Sequence, residues 1–432
     1  TCPQRPGRTA LMADGFAALN AKIEALTGRP LPEEVLRQGN PEVALDYTHA
    51  PQLDLIYVSY LNLNADFTGY LMARMLAHHA ARGTVVRILI ADPMLTGVDR
   101  RLIETLAARF PTVQFQPFRL PHGVDPGVDG ELARIHRVTH VKLFATVARQ
   151  PGRSLAMVGG RNLHDGYTFP EVLDLSRWPF LQQYDPAANR LAGGVALYVD
   201  FEIALHDDQA VRAIVRQMAG FWHRDHDSQQ PLRPAAGRPG AAAGTVPVAG
   251  PRMRHFISIP YADEAAQERL FIDLIDAAER RIDISSPYIN LTPALQAAFQ
   301  LARPRGVDVH VVTTIRVREA TDFLATALNR MFAVDHADWL NFVDYDPYPL
   351  LLHSKLLVFD RRLAVITSTN MNRRSFLHDT ENGVVVLDPA VARAVGRVID
   401  GYAARGVPVA AEQQIPGLAR TLLRWRALRD AF

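Results

Sequence analysis

The sequence has very little cysteine, no long hydrophobic run and almost no excess of charge of either sign. Its 432 residues include one cysteine, Cys2, so no internal disulfide can form and the redox compartment stays open. No stretch reaches the roughly 18 apolar residues of a membrane-spanning helix, so membrane contact would be peripheral or through a covalent anchor. Lys and Arg number 47 against 45 for Asp and Glu, a net charge of +2. This balance disfavours a sequence-independent nucleic-acid binder, although a local basic groove would fit within it.

The N-terminal residues are the one place where a covalent anchor is suggested. The sequence begins Thr1-Cys2 without a methionine, which fits a removed leader or a trimmed chain. Cys2 is then a candidate bacterial lipidation site, and the alternative is an unmodified residue in a frayed terminus. These observations favour a protein of the bacterial cell envelope or a secreted one, with the cytoplasmic face of the membrane as the alternative.

Length and composition indicate a soluble protein with ample material for a buried core. Hydrophobic residues make up 48% of the chain and charged residues 21%, which is typical of globular proteins. A chain of 432 residues exceeds what one typical core needs, so we expect two domains or one large fused body.

One order of elements occurs twice along the chain: a buried strand, a helix and a second strand. These elements are predicted at 55–60, 69–81 and 85–90 in the first half, and at 282–288, 293–302 and 307–312 in the second. A glycine follows each helix and a β-branched run follows the glycine, as expected for a helix that leads into a strand. The alternation predicts a mostly parallel sheet in each half.

We therefore predict an α/β fold of two similar α/β/α halves, packed as a pseudo-twofold pair around one active site. The predicted divisions are 1–52 (N-terminal extension and helix), 53–226 (first half), 227–254 (linker) and 255–432 (second half). The linker is predicted because that stretch is rich in Pro, Gly and Ala and lacks apolar periodicity. Residues 168–199 also lack a clear period and are interpreted as a long insertion or lid. A chain of this kind would act as a monomer that contains its own pseudo-dimer.

A short polar motif occurs near the end of each half. Each copy has a His, a Lys two positions later and an Asn further on: His140, Lys142 and Asn162 in the first, and His353, Lys355 and Asn370 in the second. Because residues i and i+2 of a strand point to the same face, each His and Lys should project side by side. Two such pairs, brought together across a pseudo-twofold, would place four polar groups around one phosphate.

This set of residues suits the cleavage of a phosphodiester. The diester anion repels nucleophiles and has a poor alkoxide leaving group, so the site needs positive donors, an attacking group and a proton source. The two lysines would supply the charge, and Asn162, Asn370 and Ser368 would add neutral donors. One neutral imidazole attacks phosphorus to give a phosphohistidine, while the other, protonated, donates to the leaving oxygen and later activates the acceptor. No metal or other cofactor is needed, and no convincing metal-ligand spacing occurs elsewhere.

An imidazole in either role needs its second nitrogen held by a carboxylate, which fixes the tautomer. Asp200 and Glu381 hold matching positions in the two halves, since each opens an apolar strand that precedes a helix. We therefore predict that these two acids orient the two histidines. Glu202 is the competing candidate in the first half.

At these residues the chain resembles the phospholipase D superfamily. Paired HxK motifs with downstream Asn residues, in a two-half layout, are features of that family, and the likeness covers most of the chain from Leu53 onward. Residues 159–167 and 370–376 look most like the cardiolipin synthase branch. The resemblance implies a phospholipase D or phosphatidyltransferase that cleaves a glycerophospholipid. Ser368 and three further residues, Gly160, Arg161 and Tyr348, are expected to bind substrate.

The chain departs from the family pattern at three motif positions. The family's Asp, five residues after the motif Lys, is present as Asp360 but is Val147 in the first half. The Ser of the first half is Gly160, a change common in the cardiolipin synthase branch, and Thr367 replaces a glycine in the second half. Because that Asp supports the hairpin after the motif, we expect a locally altered turn in the first half and a working site.

The expected partner is a phospholipid, reached by peripheral membrane contact, and nucleic acid is not expected. The aromatic and apolar stretch at 339–352 fits core packing, an apolar rim for acyl chains, or base stacking. A nuclease of the same superfamily is the main alternative function, and a catalytically inactive binding protein is another. The near-neutral charge disfavours the first, and the intact His, Lys and Asn pairs disfavour the second.

Overall fold

A computed structural model gives the fold of the chain. It describes residues 1–119, 138–183, 197–224, 250–260, 262–263, 265–315, 323–345, 347, 349–409 and 421–422, with only the backbone for 323–325. Within these ranges no helix is both long enough and apolar enough to cross a membrane.

The described residues of the first half form eight strands. They are β1 (Thr9–Met12), β2 (Leu53–Tyr60), β3 (Val85–Ala91), β4 (Val113–Phe118), β5 (Leu143–Ala148), β6 (Leu155–Gly159), β7 (Leu197–Val199) and β8 (Glu202–Leu205). Seven of them form one sheet in the order β1-β8-β6-β5-β2-β3-β4. The neighbours β2, β3 and β4 run parallel, and the other neighbours run antiparallel.

The second half repeats this arrangement with a larger sheet. Its strands are β9 (Arg252–Ser258), β10 (Arg281–Ser285), β11 (Ile289–Asn290), β12 (Asp308–Thr313), β13 (Asn341–Tyr345), β14 (Leu350–Leu352), β15 (Leu356–Phe359), β16 (Leu363–Thr367), β17 (Met371–Asn372), β18 (Glu381–Leu387) and β19 (Gly406–Pro408). Eight of them form a sheet in the order β19-β13-β12-β10-β15-β16-β18-β9. Here β10, β12 and β13 are the parallel neighbours. Two small parallel pairs complete the set, β11 with β17 and, across the two halves, β7 with β14.

The helices pack around these sheets. They are α1 (Gly15–Thr27), α2 (Glu33–Arg37), α3 (Phe67–Ala81), α4 (Gly97–Arg109), α5 (Asp165–Thr168), α6 (Asp208–Trp222), α7 (Ala266–Asp276), α8 (Pro293–Ala302), α9 (Phe323–Asp335), α10 (Arg373–Leu377) and α11 (Pro389–Ala403). The sequence sets several of their ends. Thr96 and Asp99 form a capping box at the start of α4, and Gly28 ends α1 with a left-handed φ of 86°.

The predicted α/β fold of two similar halves is confirmed. The strand–helix–strand units predicted from the sequence give the parallel neighbours in both sheets, because a helical crossover returns the chain in the same direction. The remaining neighbours are antiparallel, so each sheet is mixed and not mostly parallel. The hairpins that follow the HxK motifs, β5–β6 and β15–β16, account for much of this difference, since a short turn reverses the chain.

Three predicted boundaries differ from the observed elements. β1 pairs with β8 inside the first sheet, so the N-terminal 52 residues contribute to the first half as well as preceding it. β9 begins at Arg252, so the last three residues of the predicted linker 227–254 are strand, and 227–249 lie outside the described residues. The predicted insertion at 168–199 includes β7, while its residues 184–196 lie outside the described ranges.

A shared core joins the two halves. One hydrophobic cluster contains Leu143 and Val158 of the first sheet together with Leu356 and Ile366 of the second. Two further clusters lie within the individual halves. The strand ends that carry the HxK motifs therefore meet at the joint between the sheets, where both halves can contribute to one site.

Candidate active site

Each motif histidine lies three residues before a strand and is held by the other half of the molecule. His140 precedes β5 and His353 precedes β15. Both motifs were predicted to lie inside strands, whereas the structure places them just before the strands begin. The His140 N–H donates to the carbonyl of Thr380 at 2.8 Å, and the His353 N–H donates to the carbonyl of Val199 at 2.8 Å. The backbone contacts are thus related by the predicted pseudo-twofold.

The two candidate acids pair with the histidines crosswise. The Nδ1 atom of His140 lies 3.0 Å from both carboxylate oxygens of Glu381, and Nδ1 of His353 lies 2.6 Å from Oδ2 of Asp200. Both carboxylates are fully buried. When Nδ1–H donates to the carboxylate, the neutral imidazole carries its lone pair on Nε2. Neither half can build a histidine–carboxylate pair alone.

Glu202, the competing acid of the first half, faces away from the histidines. Its carboxylate lies 2.7 Å from Nζ of Lys22 and 3.4 Å from Nε of Arg161. All three side chains are buried. Their contacts tie α1 to β8, which is a structural role.

The two motif lysines are buried against their own histidines. Nζ of Lys142 donates to the carbonyl of His140 at 3.0 Å, and Nζ of Lys355 lies within 3.1 Å of both ring nitrogens of His353. Each lysine is 1% exposed. Burial lowers the pKa of Lys142 to about 8, despite the opposing charges of Glu381 and Asp200, and burial also holds the pKa of Lys355 well below its ordinary value.

Burial and the two lysine charges keep both histidines neutral in this state. Burial lowers the pKa of His353 to about 3, with the Lys355 charge adding to the effect, and burial with Lys142 and Lys355 holds the pKa of His140 well below its ordinary value. Burial raises the pKa of Glu381 to about 7. Burial also disfavours ionised Asp200, but its interaction and hydrogen bond with His353, together with the Lys355 charge, outweigh burial and lower that pKa.

The two histidines open onto one cavity of about 290 Å³ at the joint. Both motif asparagines line it, as the sequence predicted for donors to a phosphate. Further lining residues come from both halves: Leu61, Asn62, Met94, His164, Tyr167, Tyr198, Tyr288, Asn372, Arg374 and Asp379. The cavity therefore combines polar groups that suit a phosphate with aromatic side chains.

Tyr167 makes the two histidines unequal. Its Oη atom lies 3.2 Å from Nε2 of His353 and accepts a hydrogen bond from Nδ2 of Asn162 at 3.2 Å. Its ring stacks on that of Tyr198, with centroids 4.3 Å apart. The corresponding position in the second half is Ser375, whose hydroxyl instead accepts from the backbone N–H of Asn370 at 3.1 Å.

Three of the four predicted substrate-binding residues, Ser368, Gly160 and Arg161, are not among the residues that line the cavity. The Ser368 hydroxyl donates to Glu381, so it supports the acid from behind. Gly160 lies against the Asp200 carboxylate, and a side chain there would collide with it. The Arg161 guanidinium is buried and donates to the backbone carbonyl of Asp200 at 2.7 Å. Tyr348 lies outside the described residues.

Sequence reasoning did not identify Tyr198, Tyr288 and Asp379 as cavity residues. Asp379 pairs with Arg374 at 2.9 Å, and burial raises its pKa to about 7. The one available signal for Asp379 was its position two residues before Glu381, and Tyr198 similarly lies two residues before Asp200. Among the residues that the structure describes, no group of three or more His, Cys, Asp or Glu side chains is placed to hold a metal ion.

Sequence comparison matches the second half to known proteins. The family described as "Cardiolipin synthase, PLD-like domain" matches residues 271–401. Cardiolipin synthase A of Pseudomonas aeruginosa is 33% identical over 130 residues, which are 30% of this chain and 26% of that protein. Cardiolipin synthase A of Pseudomonas fluorescens is 29% identical over 143 residues, 33% of this chain and 29% of that protein. The matches thus span between a quarter and a third of these relatives.

Structure comparison extends the likeness to nearly the whole chain. Phosphatidylserine synthase of Haemophilus influenzae matches with a TM-score of 0.64 at 13% identity, over 96% of this chain and 92% of that one. Polyphosphate kinase of Porphyromonas gingivalis matches with a TM-score of 0.53 at 10% identity, over 96% of this chain and 53% of that one. At such identities the likeness concerns the fold alone. The sequence matches confirm the predicted resemblance to the phospholipase D superfamily and its cardiolipin synthase branch, and the structural matches show a similar fold over nearly the whole chain.

Proposed function

We propose that this chain is a phosphatidyltransferase or phospholipase D of the cardiolipin synthase type, which cleaves a glycerophospholipid through a phosphohistidine. The observation that carries the proposal is the crossed pairing of His140 with Glu381 and of His353 with Asp200 around one cavity. The buried lysines lie against these histidines: Nζ of Lys142 donates to the His140 carbonyl, and Nζ of Lys355 lies within 3.1 Å of both ring nitrogens of His353. Neither lysine is among the described residues that line the cavity, but their charges lie next to it. Imidazoles beside buried cations are what attack on a phosphodiester anion requires.

The first step joins the lipid phosphate to a histidine. Nε2 of His140 attacks phosphorus, a P–N bond forms, and the P–O bond to the departing alcohol breaks. His353 in its protonated form gives its Nε2 proton to the leaving oxygen. Lys142 and Lys355 stabilise the charge on the non-bridging oxygens, so no metal is needed for charge neutralisation.

The contact of Tyr167 supports this assignment of roles. In the resting site its hydroxyl donates to the lone pair of neutral His353 Nε2, and Asn162 donates to the same oxygen. A lone pair engaged in that way is a poorer nucleophile than one without such a donor. Among the described residues, the hydrogen bonds of the His140 ring to other side chains are those of its Nδ1 atom with Glu381. We therefore assign attack to His140 and proton transfer to His353.

The second step releases the product. Neutral His353 takes a proton from water or an alcohol, the acceptor oxygen attacks phosphorus, and the P–N bond breaks to restore neutral His140. Water gives phosphatidic acid, whereas glycerol or the hydroxyl of phosphatidylglycerol gives a new phosphatidyl ester. The partition between these products distinguishes hydrolysis from transfer.

Substrate binding prepares His353 for its role as an acid. Its pKa of about 3 reflects burial and the neighbouring lysine charges. A bound diester anion opposes those charges and raises the pKa, so binding takes up a proton and strengthens as the pH falls. Lys142, with a pKa of about 8, loses its charge in more alkaline solution, so anion binding weakens above that pH.

The proposal extends to the surroundings of the enzyme. A phospholipid substrate resides in a bilayer, so the protein makes peripheral contact with the membrane, as a monomer whose two halves act as an internal pseudo-dimer. We place it in the bacterial cell envelope or among secreted proteins. No cofactor is required by the chemistry above.

One assay tests the function and its alternatives together. The purified chain is incubated with a panel of glycerophospholipids and with a labelled oligonucleotide, with and without chelator, and the products are identified by mass. We expect phosphatidic acid, a transfer product when glycerol or phosphatidylglycerol is added, and no effect of chelator. Oligonucleotide cleavage with intact lipids would favour a nuclease, and no turnover of either would favour an inactive binding protein.

A further inference from the structure

A groove of about 400 Å³ lies on the surface of the first half, between α3 and α4. Ala73 and Ala77 lie on the α3 side, and Leu102 and Leu106 lie on the α4 side. The spacing of four residues on each helix puts each pair on one face. Because the two alanines end at Cβ, the leucines opposite do not close the space between the helices.

Aromatic side chains border the groove at its open side. Phe180 is 51% exposed, and its ring lies 5.4 Å from that of Tyr70, which also lines the groove. An apolar ring left half in water is a common feature of surfaces that meet an apolar partner. The groove thus offers an apolar ligand both a lining and an exposed aromatic contact.

The charge around the groove has one sign. Arg101 and Arg109, both exposed, follow the same face of α4 as Leu102 and Leu106, and Arg74 lines the opposite side. The Arg74 guanidinium donates to the carbonyls of Pro41 and Val43, so it is held in place. No Asp or Glu is among the described residues that line the groove. The complementary ligand is therefore an amphiphile with an apolar chain and an anionic group.

The groove lies beside the active-site cavity. Leu61 and Asn62 line the cavity, and Ala65, three residues further along the same loop, lines the groove. On the next segment Met94, which is 41% exposed, lines the cavity, and Val98 lines the groove. A bilayer that touches the groove is thereby brought close to the cavity entrance.

We propose that this groove is the membrane-docking surface, which takes an acyl chain of an anionic phospholipid while Arg101 and Arg109 bind phosphates of the anionic bilayer surface. From Val98 to Arg109 helix α4 extends about 16 Å at 1.5 Å per residue, close to the thickness of one hydrocarbon leaflet. The inference deepens the proposed function, since it states where the substrate-bearing bilayer meets the protein. Basic side chains near an anionic membrane surface are attracted to it, so each adds to binding.

Co-sedimentation of the full chain with vesicles tests the docking surface. Vesicles of phosphatidylcholine alone are compared with vesicles of phosphatidylcholine and phosphatidylglycerol, and we expect binding to the mixed vesicles. The double variant R101E/R109E should lower the partition coefficient at least about tenfold. Ala77→Leu, which fills the groove and leaves the arginines in place, should lower it severalfold. Thermal unfolding midpoints confirm that each variant is folded.

Two controls separate this surface from general charge and from catalysis. R393E/R397E makes the same charge change on exposed positions of α11 in the second half and should bind vesicles like the wild type. His353→Ala should also bind like the wild type, so vesicle binding is measured independently of turnover. The inference is overturned if the wild-type protein does not bind mixed vesicles, which is the result expected if the groove binds a protein partner instead. Equal binding by R101E/R109E and wild type, or an equal loss in R393E/R397E, also overturns it.

Discussion

The two halves hold their histidines in the same way, but the strand that follows each motif ends differently. In the second half, Asp360 adopts a left-handed φ of 52° and accepts from three backbone N–H groups, of 279, 280 and 281, at 2.8–2.9 Å. In the first half the matching residue is Val147, buried in the shared core, and β5 continues to Ala148 before a longer turn. The motif Asp therefore supports a turn at the far end of the strand from the cavity.

A second difference lies next to the acids. Ser368 has room for its hydroxyl beside Glu381, and it donates to that carboxylate. Gly160 occupies the matching position beside Asp200, which has one methylene fewer and lies so close that a Cβ would collide with it. Glycine with aspartate and serine with glutamate are thus two ways to place a carboxylate behind a histidine. The halves retain the crossed histidine–acid contacts and vary what lies behind them.

The largest losses of turnover should come from substituting the motif histidines, which both halves contain. His140→Ala and His353→Ala should each lower turnover of a natural phospholipid by about a thousandfold or more, because each removes the nucleophile or the proton donor. Steady-state kinetics on mixed micelles measures the loss. A variant with more than a tenth of wild-type turnover would contradict the shared site, and Arg393→Ala serves as the matched surface control.

The acids should rank next and should differ in pH dependence. Asp200→Asn and Glu381→Gln should each lower kcat by about a hundredfold with little change in KM, because both orient an imidazole and neither lines the cavity. Glu381, with a pKa raised to about 7, loses its acceptor charge as the pH falls, so wild-type turnover should decline below that pH. In Asp200→Asn the decline near pH 7 should persist, and in Glu381→Gln it should vanish.

Glu202→Gln is the control for those acids. It disturbs the buried Lys22 contact, so it should lower the thermal unfolding midpoint without changing the pH profile. A larger loss of kcat in Glu202→Gln than in Asp200→Asn would show that the wrong carboxylate has been assigned to His353.

Substitutions of Gly160 and Ser368, which contact the two acids, should have an effect on kcat of intermediate size. Gly160→Ser puts a side chain against Asp200, and overpacking of this kind costs about 1–3 kcal/mol, so kcat should fall roughly tenfold as the acid shifts. Ser368→Gly removes one hydrogen bond from a buried carboxylate and should cost less. Kinetics and thermal unfolding of the two single variants measure both effects. Equal tolerance of serine at both positions would remove the difference between the halves.

The motif Asp should have the smallest effect on chemistry. Asp360→Ala leaves three backbone N–H groups without their acceptor, so the free energy of unfolding should fall by about 1–2 kcal/mol while kcat stays within about twofold. Val147→Asp should raise neither the free energy of unfolding nor kcat, because it buries an unpaired carboxyl group in the core. Denaturant unfolding and kcat are compared for both variants. A large loss of kcat in a fully folded Asp360→Ala protein would give the motif Asp a catalytic part.

The sequence predicted the fold class and the candidate site because the pattern that indicates each of them occurs in both halves. The repeated strand–helix–strand order predicted the halves, and the duplicated His, Lys and Asn positions predicted which side chains meet. Asp200 and Glu381 were preferred to Glu202 because each was predicted to open an apolar strand. Glu381 does begin β18, but β8 begins at Glu202, two residues after Asp200. The structure then placed both of them beside the motif histidines.

Features that depend on contact between the halves were outside the reach of sequence reasoning. The spacing of residues along one strand gives no information on which acid meets which histidine across a joint. Arg161 was expected at the substrate because of its motif, but its long side chain turns inward to backbone carbonyls. Tyr198 comes from a three-residue strand that pairs with the other half, and so short an element has no periodicity to detect.

Locating the covalent intermediate tests the central claim, that two unequal histidines from different halves form one site. The substrate is a phosphodiester with a p-nitrophenol leaving group, which departs without a proton, and the enzyme is His353→Ala, which lacks the base for the second step. We predict one p-nitrophenol released per enzyme molecule and a phosphohistidine at His140, identified by peptide mass spectrometry under alkaline conditions. An adduct on another residue, or an adduct at His353 in the His140→Ala protein with none at His140 in His353→Ala, would contradict the account.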